Sequence, residues 1–156
     1  MLSEEEKREI EEEIPHYAQK ESVCIDALRI IQRHRGGWVS DEALNDLADY
    51  LGMSAEDLDG VATFYNLIFR EPIGRHTVMV CNSVTCWVMG YEKVRARLKE
   101  VLGVDYGGTT PDGRFTFLPI VCLGICDHAP AMMIDEDTYT DLLQDGKIEE
   151  ALKKYS

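Results

Sequence analysis

The sequence is poor in positive charge and in long apolar runs, and both absences exclude classes of function. Its 156 residues carry 16 Lys and Arg against 29 Asp and Glu, a formal net charge of −13. Nucleic-acid binding needs clustered Lys and Arg to neutralise phosphates, so we expect no nucleic-acid partner. No apolar run approaches the roughly 20 residues of a membrane-spanning helix. The acidic start of the chain is unlike a signal or transit peptide. We therefore expect a soluble, cytoplasmic protein with no direct membrane insertion.

Motifs that bind nucleotides or activate a nucleophile are also missing. The glycines at 103, 107 and 108 match neither G-x-G-x-x-G nor a phosphate-binding Walker sequence. No nucleophile, base and orienting residue form a recognisable set. We therefore expect no catalysis from the isolated chain, and any pyridine nucleotide must bind to another chain.

The sequence does contain four cysteines in two tight pairs, Cys81-x4-Cys86 and Cys122-x3-Cys126. Each pair begins where an apolar run, predicted to be a strand, comes to an end. Iron–sulfur clusters are held by Cys thiolates, usually four of them. The spacing therefore predicts a [2Fe–2S] electron carrier. Few positively charged residues lie near either pair in the sequence. An anionic cluster whose charge is little balanced resists reduction, so we expect a low reduction potential.

Other uses of these cysteines remain open at this point. Structural zinc takes four sulfur or nitrogen ligands, usually from C-x2–4-C knuckles, and would make the chain a zinc-stabilised interaction module. A thioredoxin-type dithiol needs C-x-x-C, which neither pair has. His128 lies two residues after Cys126 and suggests an alternative in which the cluster has both Cys and His ligands. The fifth cysteine, Cys24, stands alone in an apolar helical stretch, where a buried core residue is expected. Five cysteines without a secretion signal argue against a disulfide framework.

Residues 1–72 are predicted to be helical only. Ser3 has capping-box spacing with Glu6 and is expected to begin a helix over 3–20. Ser22, Ser40 and Ser54 are expected to cap three further helices. This part carries 7 Lys and Arg against 17 Asp and Glu, a balance of −10. We expect a helical bundle that docks on a partner protein, with apolar residues at 61–69 either on the partner surface or in the core.

Residues 73–156 alternate between strands and helices instead. Strands are expected at 76–81, from 114 onward and at 131–134, and helices at 87–102 and 140–155. Pro130 stands where thioredoxin-like folds place a cis proline. The order indicates an α+β protein, with an N-terminal helical bundle followed by a thioredoxin-like domain.

Several sequence runs resemble one known family. They are Gly60-Val61-Ala62-Thr63-Phe64-Tyr65, the run from Cys81 to Cys86 with Gly90, Asp112-Gly113-Arg114-Phe115, and Cys122-Leu123-Gly124-Ile125-Cys126-Asp127 followed by Ala129-Pro130-Ala131-Met132-Met133-Ile134. These runs are similar to those of the 24-kDa subunit of respiratory complex I, the E subunit of bacterial NADH–quinone oxidoreductase.

The resemblance implies one [2Fe–2S] cluster held by Cys81, Cys86, Cys122 and Cys126 in a thioredoxin-like ferredoxin domain. It further implies a partner, the 51-kDa or F-type flavoprotein subunit, which alone binds NADH and FMN and exchanges single electrons with the cluster. The chain would then be a non-nucleotide-binding subunit of an NADH:quinone oxidoreductase, peripheral on the cytoplasmic side of the inner membrane. NAD-linked formate dehydrogenases and soluble or electron-bifurcating hydrogenases use the same module and remain alternative hosts.

Overall fold

The chain divides into two compact units, Met1–Pro72 and Ile73–Ser156. The structure, a computed structural model, describes residues 1–155. Ser156, the last residue of the predicted second domain, lies outside the described residues. The fold class is α+β as predicted, since the first unit is helical and the second contains a sheet with helices. None of the helices described is long and apolar enough to cross a membrane.

The first unit is a bundle of four α-helices. They are α1 (Glu4–Glu13), α2 (Cys24–His34), α3 (Asp41–Leu51) and α4 (Ala55–Phe64), with short 3-10 helices at Ile14–His16 and Lys20–Val23. The apolar faces of the helices form one core, in which Ile31, Leu47 and Leu58 are fully buried. Burial of such a face, rather than intrinsic propensity, provides most of the stability of helices this short.

The predicted caps explain most of the helix boundaries in this unit. Ser3 and Glu6 form the expected capping box at α1. The hydroxyls of Ser40 and Ser54 accept backbone N–H groups at the starts of α3 and α4. Gly52 ends α3 in the left-handed conformation, with φ of 77°, which costs a glycine little.

Two predictions about the first unit were wrong. The first helix was expected over 3–20, but α1 ends at Glu13 and a 3-10 turn follows. Pro15 in that turn lacks an N–H and disfavours the helical conformation of the residue before it. Ser22 was expected to cap the second helix, but it lies inside the 3-10 helix Lys20–Val23, and α2 begins without a side-chain cap.

The second unit is built on a four-stranded mixed sheet in the order β2-β1-β3-β4. Its strands are β1 (His76–Cys81), β2 (Phe115–Ile120), β3 (Met132–Ile134) and β4 (Asp137–Tyr139). Strands β1 and β2 are parallel, whereas β3 is antiparallel to both β1 and β4. The helices are α5 (Val84–Met89), α6 (Tyr91–Leu102) and α7 (Lys147–Leu152), with 3-10 helices at Cys126–His128 and Lys153–Tyr155.

Two helices of this unit are shorter than predicted. The helix expected over 87–102 is two helices, α5 and α6, separated at Gly90, whose φ of 118° breaks the helical path. The helix expected over 140–155 starts only at Lys147, because Asp141 and Gly146 take positive φ angles of 57° and 78°. The cis peptide expected before Pro130 is present.

Candidate metal centre

Parallel pairing of β1 with β2 brings the two cysteine loops to one edge of the sheet. Cys81 is the last residue of β1 and is paired in register with Ile120, the last residue of β2. The Asn82 N–H donates to the Ile120 carbonyl at 3.0 Å, which ties the first loop to the end of β2. Cys122 follows two residues later. Because parallel strands end at the same edge, their loops emerge side by side.

The first pair, Cys81 and Cys86, is buried. The two residues are 1% and 3% exposed. The Cys81 N–H donates to the Ala131 carbonyl at 3.1 Å. Cys86 was expected just before a helix but lies in the first turn of α5. Burial, with the Cys81 thiol beside it, raises the pKa of the Cys86 thiol to about 11. Cys86 therefore keeps its proton at neutral pH unless a metal displaces it.

The second pair, Cys122 and Cys126, is exposed, and its two Sγ atoms lie 3.3 Å apart. The Gly124 N–H donates to the Cys122 Sγ at 3.4 Å, a contact that lowers the pKa of the Cys122 thiol. Gly124 has φ of 80°, a left-handed conformation that turns its N–H back toward the sulfur. The neighbouring Cys122 raises the pKa of the Cys126 thiol, and a hydrogen bond from the Thr85 hydroxyl partly opposes that shift.

Each cysteine pair also influences the pKa values of the other pair. Cys126 adds a repulsive charge interaction that raises the pKa of Cys86, and Cys81 does the same for Cys126. Thr85, adjacent to Cys86 in α5, reaches Cys126 of the other pair. The structure therefore places both pairs of predicted ligands at the same edge of the sheet.

The four free thiols of these two pairs match the ligands that a two-iron cluster needs. A structural zinc site also takes four ligands, around one ion. A [2Fe–2S] cluster instead takes two protein ligands on each iron, and two separate thiol pairs match that requirement. The donor set is compatible with the cluster.

The other candidate residues stand apart from this set. His128 is largely exposed beside the carboxylate of Asp127, with 3.4 Å between Nε2 and Oδ2. Cys24 lies in α2 within the core of the first unit, as expected. Leu123 and Ile125 are half-buried, whereas Trp87 is 60% exposed and therefore does not shield the cysteines from water.

An exposed apolar surface adjoins the cysteine loops. Helix α5 exposes Val84, Trp87 and Val88, whose spacing places them on one helical face. Val121, next to Cys122, is 59% exposed. Residues 81–91 and 115–126 contain no charged side chain. Sequence reasoning missed this surface because it joined α5 to α6. Gly90 was the residue that could have indicated the break.

Comparisons with known proteins agree with this architecture. The sequence model of the thioredoxin-like [2Fe–2S] ferredoxin family matches residues 10–156. Two relatives are named as the E subunit of NADH-quinone oxidoreductase. The one from Pseudomonas aeruginosa is 49% identical over 146 residues, which is 94% of this chain and 87% of the relative. The one from Escherichia coli K12 is 49% identical over 154 residues, which is 99% of this chain and 92% of the relative.

A solved structure shares the fold at low sequence identity. It is an NAD+-reducing [NiFe]-hydrogenase in the H2-reduced state, with a TM-score of 0.65 and 22% identity. The match covers 82% of this chain but 22% of that longer chain.

Proposed function

Because the chain belongs to the thioredoxin-like [2Fe–2S] ferredoxin family, we propose that Cys81, Cys86, Cys122 and Cys126 hold one [2Fe–2S] cluster. The observation that carries this proposal is the meeting of two thiol pairs at the ends of two parallel strands. The chain then acts as an electron-transfer subunit that is reduced and oxidised one electron at a time. The match to a family of [2Fe–2S] ferredoxins favours the cluster over the zinc-stabilised module.

The protein groups around the thiols hold and tune the cluster. When bound, a [2Fe–2S] cluster supplies one-electron redox chemistry. The buried Cys81 and Cys86 fix one side of the site on β1 and α5. The Gly124 N–H and the Thr85 hydroxyl donate to sulfur on the other side, where they stabilise negative charge. Residues 81–91 and 115–126 contain no positively charged side chain. The negative charge of an added electron is therefore weakly stabilised, and the reduction potential is low.

The host enzyme that we infer is an NADH–quinone oxidoreductase. Relatives that match nearly the whole chain at 49% identity are named as the E subunit of that enzyme. The partner that we infer is the flavoprotein subunit of 51 kDa or F type, which binds NADH and FMN. This chain exchanges single electrons with that flavin and performs no catalysis alone. In the assembled enzyme it is peripheral, on the cytoplasmic side of the inner membrane.

A second host is supported by a separate observation. The solved structure with the same fold is an NAD+-reducing [NiFe]-hydrogenase. A soluble or electron-bifurcating hydrogenase, or an NAD-linked formate dehydrogenase, would use the same cysteine set. The relatives at 49% identity favour the respiratory enzyme over these hosts.

The first unit is proposed to dock on the rest of the complex. The end of α4 and the segment after it expose Phe64, Tyr65 and Leu67, which are 77%, 42% and 44% exposed. Ile68, which follows them, is 7% exposed and belongs to the core. Residues 61–69 therefore include both core residues and exposed residues. The exposed aromatic side chains are suited to a contact with another protein.

Serine substitutions test the ligand assignment. The full chain is produced under anaerobic conditions with each of the four cysteines changed in turn to serine, and with Cys24→Ser as the matched control. We expect about two irons and two sulfides per wild-type chain and per Cys24→Ser chain, and loss of most of both from the other four. Full iron content in any of those four variants would remove that cysteine from the ligand set.

The electron exchange is tested separately. The intact chain is mixed with the co-expressed flavoprotein and NADH, and its visible absorption is followed. We expect bleaching that requires both NADH and the flavoprotein. Bleaching by NADH without the flavoprotein, or no bleaching with it, would contradict the proposed partner.

A further inference from the structure

The four thiols differ in access to solvent, and this difference has chemical consequences for a chain without its cluster. Cys81 and Cys86 are 1% and 3% exposed. Cys122 and Cys126 are exposed, with their sulfur atoms in contact at 3.3 Å. Thiol–disulfide exchange depends on access of the reagent to the attacking sulfur. Only the second pair is open to a reagent larger than water.

We propose that Cys122 and Cys126 form a redox-sensitive dithiol in the cluster-free chain, which closes to a disulfide on exposure to a low-molecular-weight disulfide of the glutathione class. The disulfide removes two of the four thiolates that the cluster needs. It therefore acts as a reversible gate on cluster insertion, while the buried pair stays reduced. Only the gate rests on the proposed function, because the disulfide itself forms without any metal.

The reaction is a two-step exchange. The Cys122 thiolate, whose sulfur accepts the Gly124 N–H, attacks one sulfur of glutathione disulfide. The bond between the two glutathione sulfurs breaks, and one glutathione thiolate leaves. The Cys126 thiolate then attacks the Cys122 sulfur of the mixed disulfide and releases the second glutathione thiolate. Two cysteines lose two electrons, one glutathione disulfide is reduced, and the two thiol protons go to the released thiolates.

Comparison of the two cysteine pairs within one chain separates the effect of the fold from the effect of loop length. The intervening segments are four residues long in the buried pair and three in the exposed pair. Loop-closure entropy changes slowly with length, so an unfolded chain should close both pairs to similar extents. A strong preference for Cys122–Cys126 can then come only from the folded arrangement.

The test uses the full chain, stripped of iron and sulfide by a chelator under reducing, anaerobic conditions. The chain is exposed to a mixture of reduced and oxidised glutathione, once in buffer and once in guanidinium chloride, and samples are taken during the early phase of the reaction. Free thiols are then blocked, and each disulfide is mapped by mass spectrometry. We expect Cys122–Cys126 to exceed Cys81–Cys86 by at least about tenfold in buffer, and the two to be comparable in denaturant. Equal amounts in buffer, or a persistent mixed disulfide at Cys122, would overturn the proposal.

Two variants sharpen the result. In Cys126→Ser the resolving thiol is missing, so we expect glutathione to remain bound at Cys122. Cys24→Ser should behave as wild type, because Cys24 is a core thiol of the first unit. A Cys126→Ser chain that does not retain glutathione would contradict the proposed order of attack and so the proposed dithiol.

The gate is measured by loading the oxidised and the reduced chain with ferrous iron and sulfide without added thiol. We expect uptake by the reduced chain only, with recovery of the oxidised chain after treatment with a thiol reductant. Equal uptake by both would overturn the gate. Failure of the reduced chain to take up any cluster would instead contradict the proposed function, and would leave the disulfide mapping as an independent result.

Discussion

A buried ion pair in the first unit should make its stability depend on one carboxylate. The Glu6 side chain is 4% exposed and accepts hydrogen bonds from the Arg35 guanidinium, from Nε at 2.8 Å and from Nη2 at 3.1 Å. It also accepts the Ser3 N–H at 2.7 Å, as part of the capping box of α1. Arg35 is the largest cause of a fall in the Glu6 pKa from 4.5 to about 2.

The size of this shift sets the expected effect of Glu6→Gln. A shift of one pKa unit corresponds to about 1.36 kcal/mol, so the lowered Glu6 pKa represents about 3 kcal/mol of stability at pH 7. Because the folded-state pKa is depressed, this contribution is present above pH 4.5 and is lost as the pH falls toward 2. The glutamine variant, which resembles protonated glutamate, should be about 3 kcal/mol less stable at pH 7, about 1 at pH 3, and nearly equal to wild type at pH 2.

The assay is urea unfolding of the full chain, followed by fluorescence. A Trp87→Phe background leaves Trp38 of the first unit as the reporter, since the sequence contains two tryptophans. Glu12→Gln is the matched control, because Glu12 is exposed on the same helix. We expect a change within about 0.5 kcal/mol for Glu12→Gln. A Glu6→Gln variant as stable as Glu12→Gln at pH 7, or equally destabilised at pH 7 and pH 2, would refute the reasoning.

Three further predictions, one of them with a control variant, test other parts of the structure. Thr85→Val removes a hydrogen bond to the Cys126 sulfur and should lower the cluster midpoint potential by roughly 20–40 mV in redox titration; an unchanged potential would exclude that contact as a tuning group. Gly60→Ala lies inside α4 with no atom within 4 Å of the added Cβ, so it should stabilise the first unit by about 0.4–1 kcal/mol; destabilisation in urea would contradict this packing. Phe117→Ala, at a fully buried site, should lower the unfolding free energy of the second unit by about 3–5 kcal/mol. Val121→Ala, at an exposed position, should change it by less than about 0.5 kcal/mol. Equal effects of the two substitutions would be incompatible with the burial described.

The sequence predicted the elements that depend on local chemistry. Ser40 and Ser54 cap α3 and α4, and Gly52 ends α3, because a hydroxyl cap and a left-handed glycine act within a few residues. The missed boundaries have other causes. Asp141 takes a positive φ that is uncommon outside glycine, so the late start of α7 carried little sequence signal.

For the site, the apolar runs before the cysteines indicated two strand ends, and the structure places one cysteine pair at the end of each strand. The unequal burial of the two pairs was not predicted. It depends on the register of β1 against β2 and on the separation of α5 from α6, which are tertiary features. The contact of Thr85 with Cys126 joins residues 41 positions apart and has no local sequence signature.

The most direct test of the central claim is electron paramagnetic resonance of the anaerobically purified full chain, before and after reduction with dithionite. We expect no signal from the oxidised protein and a rhombic signal of spin one-half after reduction, with about two irons and two sulfides per chain. A colourless protein that holds one zinc ion, and gives no signal in either state, would contradict the assignment of a [2Fe–2S] cluster.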